Sequence, residues 1–189
     1  MAQYILIAGA NGSGKSTLMS LMPEFKTIPK INLDDRVRAL GDWNDKKNFL
    51  LAGKEVVQEI QYFFDRKITF VQETTLCGNA IKKNIKKAKQ LGYYIEIHFV
   101  SLDSFKIAQE RVHYRVAHGG HGIPDQDIER RYFEGMNTLR AVYKLCNRII
   151  FYDNTNALQR FRKIEDGETI WKSIYTPDWF TSYFSDFDI

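Results

Sequence analysis

One stretch of eight residues near the start of the chain limits its fold more than any other: Gly9-Ala10-Asn11-Gly12-Ser13-Gly14-Lys15-Ser16 fits the pattern G-x-x-x-x-G-K-[ST] without a mismatch. Its flanks give the pattern meaning. It follows an apolar run, residues 4–8 (YILIA), that reads as a buried strand, and it opens a helical stretch over residues 15–21. Glycines let the backbone turn tightly and aim its N–H groups at phosphate oxygens, and the helix brings the positive end of its dipole to the same place. Lys15 is placed to reach the outer phosphates, and the Ser16 hydroxyl suits Mg²⁺. The expectation is a site for ATP or GTP with Mg²⁺, built from Gly9, Asn11, Gly12, Ser13, Gly14, Lys15, Ser16 and Thr17. A glycine-rich turn that only packs is the alternative.

The rest of the chain alternates short apolar runs with helical stretches. Strands are expected at 27–33 (TIPKINL), 68–71 (ITFV), 93–100 (YYIEIHFV) and 148–152 (RIIFY), with Pro29 arguing for an edge position or a late start in the first of these. Helices are expected at 49–64, 80–91, 105–117 and 125–145. Such alternation implies a parallel sheet covered on both faces. Beyond it, residues 158–164 and 168–174 flank Asp166-Gly167, a hairpin turn signal. The fold class read from the sequence is α/β. It is a three-layer P-loop NTPase or kinase fold with a parallel core, a helical arginine lid and a C-terminal antiparallel hairpin, as one domain over 1–189. The closing stretch TPDWFTSYFSDFDI is aromatic and acidic, and its pattern allows packing on the body or a free tail.

Composition excludes several classes. No apolar run approaches the ~20 residues of a membrane span, and the first apolar run leads straight into the glycine loop rather than a cleavage site. The expected location is the cytoplasm. Cys77 and Cys146 read as thiols rather than a disulfide. A net charge of +4 suits an anionic ligand but is too small to imply nucleic acid. The lysines of 82–89 read as a solvated helix face, without the interleaved aromatics that stack bases.

Ligands of open parallel sheets bind at the carboxyl ends of the strands, and two strands here end in acidic chemistry. KINL is followed by Asp34 and Asp35, and ITFVQ by Glu73 and Thr74. A carboxylate beside the outer phosphate accepts a proton from an attacking hydroxyl, or binds metal through water. Asp34 is favoured as the base because it comes first after the strand, while one of the two aspartates capping a helix near Arg36 is the plainer reading. Glu73 would orient substrate or act through metal-bound water.

The segment Arg111-Val-His-Tyr-Arg115-Val-Ala-His-Gly119-Gly120-His121-Gly-Ile-Pro124 carries the second signal. Arg111 and Arg115 share one helix face, and paired guanidinium groups suit a transferring phosphoryl group. A pliable glycine loop follows, and Arg130 and Arg131 return on the next helix, the arrangement of a hinged lid. A solvated helix face is the competing reading. His113, His118 and His121 complete no recognised zinc spacing; His121 is assigned to substrate contact, and His98, inside a strand, to structure.

Taken together, GANGSGKST, INLDD, FVQETTL, ERVHYRVAHGGHGIPDQDIERRY and FYDN resemble the zeta toxin family of P-loop kinases, in that family's order and over roughly residues 4–154. The resemblance implies phosphorylation of a hydroxyl by ATP or GTP. In the studied toxins the acceptor is a UDP-linked amino sugar, and many members have an antitoxin partner that blocks the nucleotide site. It further implies that Lys15 and Ser16 hold nucleotide and Mg²⁺, that Asp34 is the base, and that Glu73 and Thr74 contact the acceptor. Arg111 and Arg115, with Arg130 or Arg131, would stabilise the transferring group, and Asn154 would sit in a base-contacting loop. Two other functions fit the same motifs: a polynucleotide kinase, and a nucleotide-gated binding protein without transfer activity. A transport ATPase does not fit, since no LSGGQ-like signature is present.

Overall fold

The structure is a computed structural model that describes residues 1–41 and 45–185. Seven strands form one sheet: β1 (Gln3–Ala8), β2 (Lys30–Asn32), β3 (Phe70–Thr74), β4 (Tyr94–Ser101), β5 (Arg148–Asp153), β6 (Gln159–Glu165) and β7 (Glu168–Lys172). Their order is β2-β3-β1-β4-β5-β6-β7. The first five are mutually parallel, and β6 and β7 add on antiparallel. The β6–β7 hairpin turns at Asp166-Gly167 with φ of 47° and 92°, the pair of positive values that a tight hairpin turn requires.

Side chains alternate across β1, so Tyr4, Leu6 and Ala8 enter one core while Ile5 and Ile7 enter the other. The first core is closed by helices α3 (Lys46–Asp65), α4 (Asn79–Gln90) and α6 (Asp125–Val142), and by α7 (Asp178–Phe184). The opposite face is covered by α1 (Lys15–Ser20) and the short turn Pro23–Phe25, through Leu18 and Phe25. Burial on both faces explains why the parallel strands read as unbroken apolar runs. A separate cluster, Leu102, Ala108, Val112, Ile123 and Ile128, joins α5 (Phe105–Ala117) to the start of α6, so the arginine segment has its own small core.

The differences from the sequence reading have local causes. Strand β2 begins only at Lys30, because Pro29 has no N–H to give the ladder; its carbonyl accepts Val71 N at 2.9 Å. An α-helix, α2 (Leu33–Leu40), starts three residues before Arg36. Its cap is Asn32, whose side chain accepts Asp34 N at 2.9 Å, so neither aspartate is the cap. The helix expected to reach 145 ends at Val142 and tightens into a 3₁₀ turn, Tyr143–Leu145. The aromatic tail packs on the body: Trp179, Phe180 and Phe184 are buried among Phe99, Phe151 and Phe161. Residues 186–189 of that tail lie outside the described residues. Cys77 and Cys146 are both free thiols. His98 is buried in β4, with Nε2 2.7 Å from Glu96 Oε1 and Nδ1 3.1 Å from the Tyr152 hydroxyl.

Candidate functional site

The glycine loop connects β1 to α1 and is held from three directions. Gly9 N donates to Thr74 O on β3, at 3.2 Å. From α6, Arg131 Nη1 donates to Asn11 Oδ1 at 3.0 Å, and from the end of β5, Asn154 Nδ2 donates to Ser13 O at 2.8 Å. Gly14 caps α1 in the left-handed region, φ 102°, and a Cβ there would collide with the Asn154 amide. Position 14 therefore takes glycine on two grounds, conformation and space. Lys15 is buried, with Nζ donating to Ala10 O at 3.0 Å. Burial pushes its amine below the ordinary lysine range, against the pull of Glu73 and Asp34.

Sheet register delivers the acidic groups. Pairing of Ala8 with Thr74 sets the end of β3 beside the loop, and pairing of Asn32 with Glu73 sets the end of β2 beside both. Glu73 accepts the Ser16 hydroxyl at 3.2 Å through Oε1 and Asn32 Nδ2 at 3.1 Å through Oε2. Burial raises its pKa, with Lys15 and the Ser16 hydrogen bond opposing. The Thr74 hydroxyl accepts Leu76 N at 2.9 Å, which shapes the turn out of β3. Asp34, in the first turn of α2, has Oδ2 3.9 Å from His121 Nε2. The Ser16 hydroxyl beside the Glu73 carboxylate is an all-oxygen pair of the kind Mg²⁺ takes, a cation that uses few protein ligands when it binds phosphates.

Arg115 is folded into its own loop. Its Nη2 donates to His121 O at 3.0 Å, and Gly120 N donates to the Arg115 carbonyl at 2.9 Å. A Cβ on Gly120 would meet Arg115 Cγ at 2.5 Å. Burial lowers the guanidinium's pKa and Asp34 opposes it. The His121 pKa is lowered by burial and then by Arg115, which favours the neutral ring. His113 is 2.7 Å from Asp125 Oδ1, and His118 Nδ1 is 2.8 Å from Tyr114 O, so both serve the local helix ends.

Two cavities meet here. The larger, about 1020 Å³, is lined by Lys15, Ser16, Asp34, Glu73, Arg115 and His121, with Thr17 further along α1. The smaller, about 390 Å³, lies between α3, the end of β3 and α6, and takes in Thr74, Arg130 and Arg131. Asn11, Lys15, Asn32, Asp34 and Glu73 line both. Arg111 and Asn154 point elsewhere. Arg111 Nη2 donates to Thr155 O at 3.0 Å, and Asn154 backs the phosphate loop from outside. Arg130 pairs along its own helix with Asp127 at 2.9 Å and Glu134 at 2.8 Å.

Sequence reasoning overlooked Asn32, which both caps α2 and holds Glu73; an asparagine directly before an acidic first turn was the available signal. It also overlooked Lys26, Lys30 and Arg38 on the larger cavity's wall, and Phe49 and Val57 on the smaller one's. Their sequence context carries no motif.

This geometry has relatives. A structure from the PezAT chromosomal toxin–antitoxin system of Streptococcus pneumoniae matches with a TM-score of 0.64 at 17% identity, over 84% of this chain and 71% of that one. The AvrRxo1-ORF1:-ORF2 structure with ATP matches with a TM-score of 0.68 at 10% identity, over 89% of this chain and 60% of that one. At these identities the likeness is one of fold, that of P-loop kinases. In sequence, an uncharacterized protein of Haemophilus influenzae is 31% identical over 128 residues, 68% of this chain and 91% of the relative. The zeta toxin family model matches residues 2–165, most of the chain and every motif described above. The chain belongs to the zeta toxin family.

Proposed function

We propose that this protein is a kinase that transfers the terminal phosphoryl group of ATP or GTP to a hydroxyl of a small molecule. The observation that carries the reading is the seam between the cavities, where Lys15, Asp34 and Glu73 line both at once. The larger cavity takes the nucleoside triphosphate, its phosphates cradled by the 9–16 loop and by Lys15. The smaller takes the acceptor, whose hydroxyl lies against Asp34. That oxygen attacks the terminal phosphorus, its proton passes to the Asp34 carboxylate, and the bond to the bridging oxygen breaks, leaving a phosphate monoester and a nucleoside diphosphate. Arg115, on α5 and held by the 119–121 loop, meets charge on the transferring group; Arg131 and Arg111 hold the phosphate loop and its surroundings. Ser16, with Glu73 behind it, would hold Mg²⁺, which supplies neutralising charge to the phosphate oxygens. Glu73, Thr74 and Arg130 orient the acceptor in the smaller cavity, His121 meets its hydroxyl from the larger cavity's wall beside Asp34, and residues 1–189 act as one domain.

Family membership makes a UDP-linked amino sugar the first acceptor to try and a proteinaceous antitoxin over the larger cavity the first partner to seek. Among the described residues no helix is long and apolar enough to cross a membrane, and we place the protein in the cytoplasm, where its nucleotide is abundant. The test is incubation with terminally labelled ATP or GTP and a panel of nucleotide sugars, free sugars and oligonucleotides. Label in a small-molecule phosphate monoester supports the reading. Label on oligonucleotide ends favours polynucleotide kinase activity, and nucleotide binding without labelled product from any acceptor favours a sensing role.

A further inference from the structure

Asp153, the last residue of β5, is 1% exposed, and its carboxylate gathers donors from two directions. From the adjoining turn come the Thr155 hydroxyl at 2.7 Å and Thr155 N at 3.4 Å. From the C-terminal segment come Trp179 Nε1 at 3.0 Å and the Tyr175 hydroxyl at 3.3 Å. The residues that flank the carboxylate's partners reach the candidate site. Asn154 donates to Ser13 O in the phosphate loop and packs against Gly14, and Thr155 O accepts Arg111. Thr155 Oγ1 also accepts Asp103 N at 3.0 Å, and Asn154 N donates to Ser101 O at 2.9 Å, so the 153–155 turn is fixed to the end of β4 as well. The segment that supplies Tyr175 and Trp179 lies beyond residue 165, where the family match ends.

We infer that the C-terminal aromatic segment sets the shape of the phosphate loop, with Trp179 and Tyr175 as positioning residues that act through Asp153 and Asn154. The inference rests on the reading of the larger cavity as a nucleoside triphosphate site. A buried carboxylate needs its oxygens satisfied, and charge-assisted donors are the strong ones. With both tail donors gone, half of Asp153's partners are lost, and the 153–155 turn must shift or admit water to replace them. Asn154 cannot shift far without releasing Ser13 O and pressing on Gly14, whose amide stands at the start of α1 where phosphate binds. The apolar packing of the tail is a separate matter. Phe184 packs its ring against Phe99, Phe151, Phe180 and the Trp179 ring, and its side chain carries no hydrogen-bond donor to give to Asp153.

The test uses the full chain with Tyr175→Phe, Trp179→Phe, the double variant, and Phe184→Leu as a packing control. ATP affinity is titrated well below each melting temperature, and amide hydrogen exchange is followed over residues 10–16. The double variant is expected to weaken ATP binding about five- to tenfold, the scale of a single ordinary hydrogen bond, and to speed exchange in the phosphate loop. Phe184→Leu is expected to lower the melting temperature with ATP affinity and loop exchange unchanged. Tyr175 is 42% exposed, so Tyr175→Phe folds even if the double variant does not, and it alone must give a smaller change of the same sign. Unchanged affinity and loop exchange in the tail variants, with parent binding ATP and Lys15→Ala failing to, would overturn the inference and leave the nucleotide site standing. An equal loss of affinity in Phe184→Leu would overturn it too, as general destabilisation. Failure of the parent itself to bind ATP would instead remove the nucleotide reading, and this inference with it.

Discussion

Glu73 has an environment that a stability-driven sequence would not choose. It is a half-buried carboxylate at the end of β3, with its pKa raised by burial. The native state therefore holds a proton over a pH range in which the unfolded chain has already released it. Stability falls as pH rises from 4.5, the ordinary value, through the raised native one. Glu73→Gln removes that cost. The variant is expected to melt at a higher temperature than the parent at pH 7. The gap should close as pH falls below 4.5. Phosphoryl transfer should drop in the same variant, because Ser16 and Asn32 both donate to this carboxylate. Calorimetry across pH checks the first expectation; a variant no more stable than its parent at pH 7 contradicts it.

At the scale of elements, the arginine segment is a helix-loop-helix with its own small core, and the loop is wound around a side chain. Gly120 lies against Arg115 Cγ, near the root of that side chain rather than its flexible end. Gly120→Ala is expected to displace the guanidinium, lower kcat about tenfold or more and lower the melting temperature, since the added Cβ would also meet the Arg115 carbonyl at 3.0 Å. Arg115→Lys should lower kcat more than it weakens ATP binding, because a point charge cannot reproduce two parallel guanidinium bonds in the transition state. Steady-state kinetics with a nucleotide titration separates these outcomes. Loss of affinity in proportion to rate would make Arg115 a ground-state clamp, and no change in either would return the segment to a solvated helix face. The elements themselves were legible because each strand buried on both faces is an unbroken apolar run and α5 is bounded by its own periodicity, Phe105–Ala117 as read. The start of helix α2 was not, because Asn32 competes with the ladder by capping, and the acidic pair behind it satisfies a helix start as readily as a loop.

Over the whole molecule, the proposed nucleotide half of the site was written locally, and the proposed acceptor half was not. The phosphate loop is contiguous, so its glycines and Lys15 could be read in order. The smaller cavity is assembled from the start of α2, α3, the β3 end, α4 and α6 around the glycine loop, segments that share no spacing and meet only through the sheet order. The tail was ambiguous for the same reason: the acceptor of the Trp179 N–H is Asp153, on another element. What unites these parts in one account is Asp34, on the seam between the cavities. Asp34→Asn is nearly isosteric, so it keeps the geometry while removing the proton acceptor. The decisive measurement is transfer of label from terminally labelled ATP to the acceptor, in parent and Asp34→Asn side by side, with ATP affinity titrated for both. The account predicts unchanged affinity and transfer reduced about 10²- to 10⁴-fold. Transfer within about threefold of the parent, a loss of under 1 kcal/mol of barrier, would contradict it.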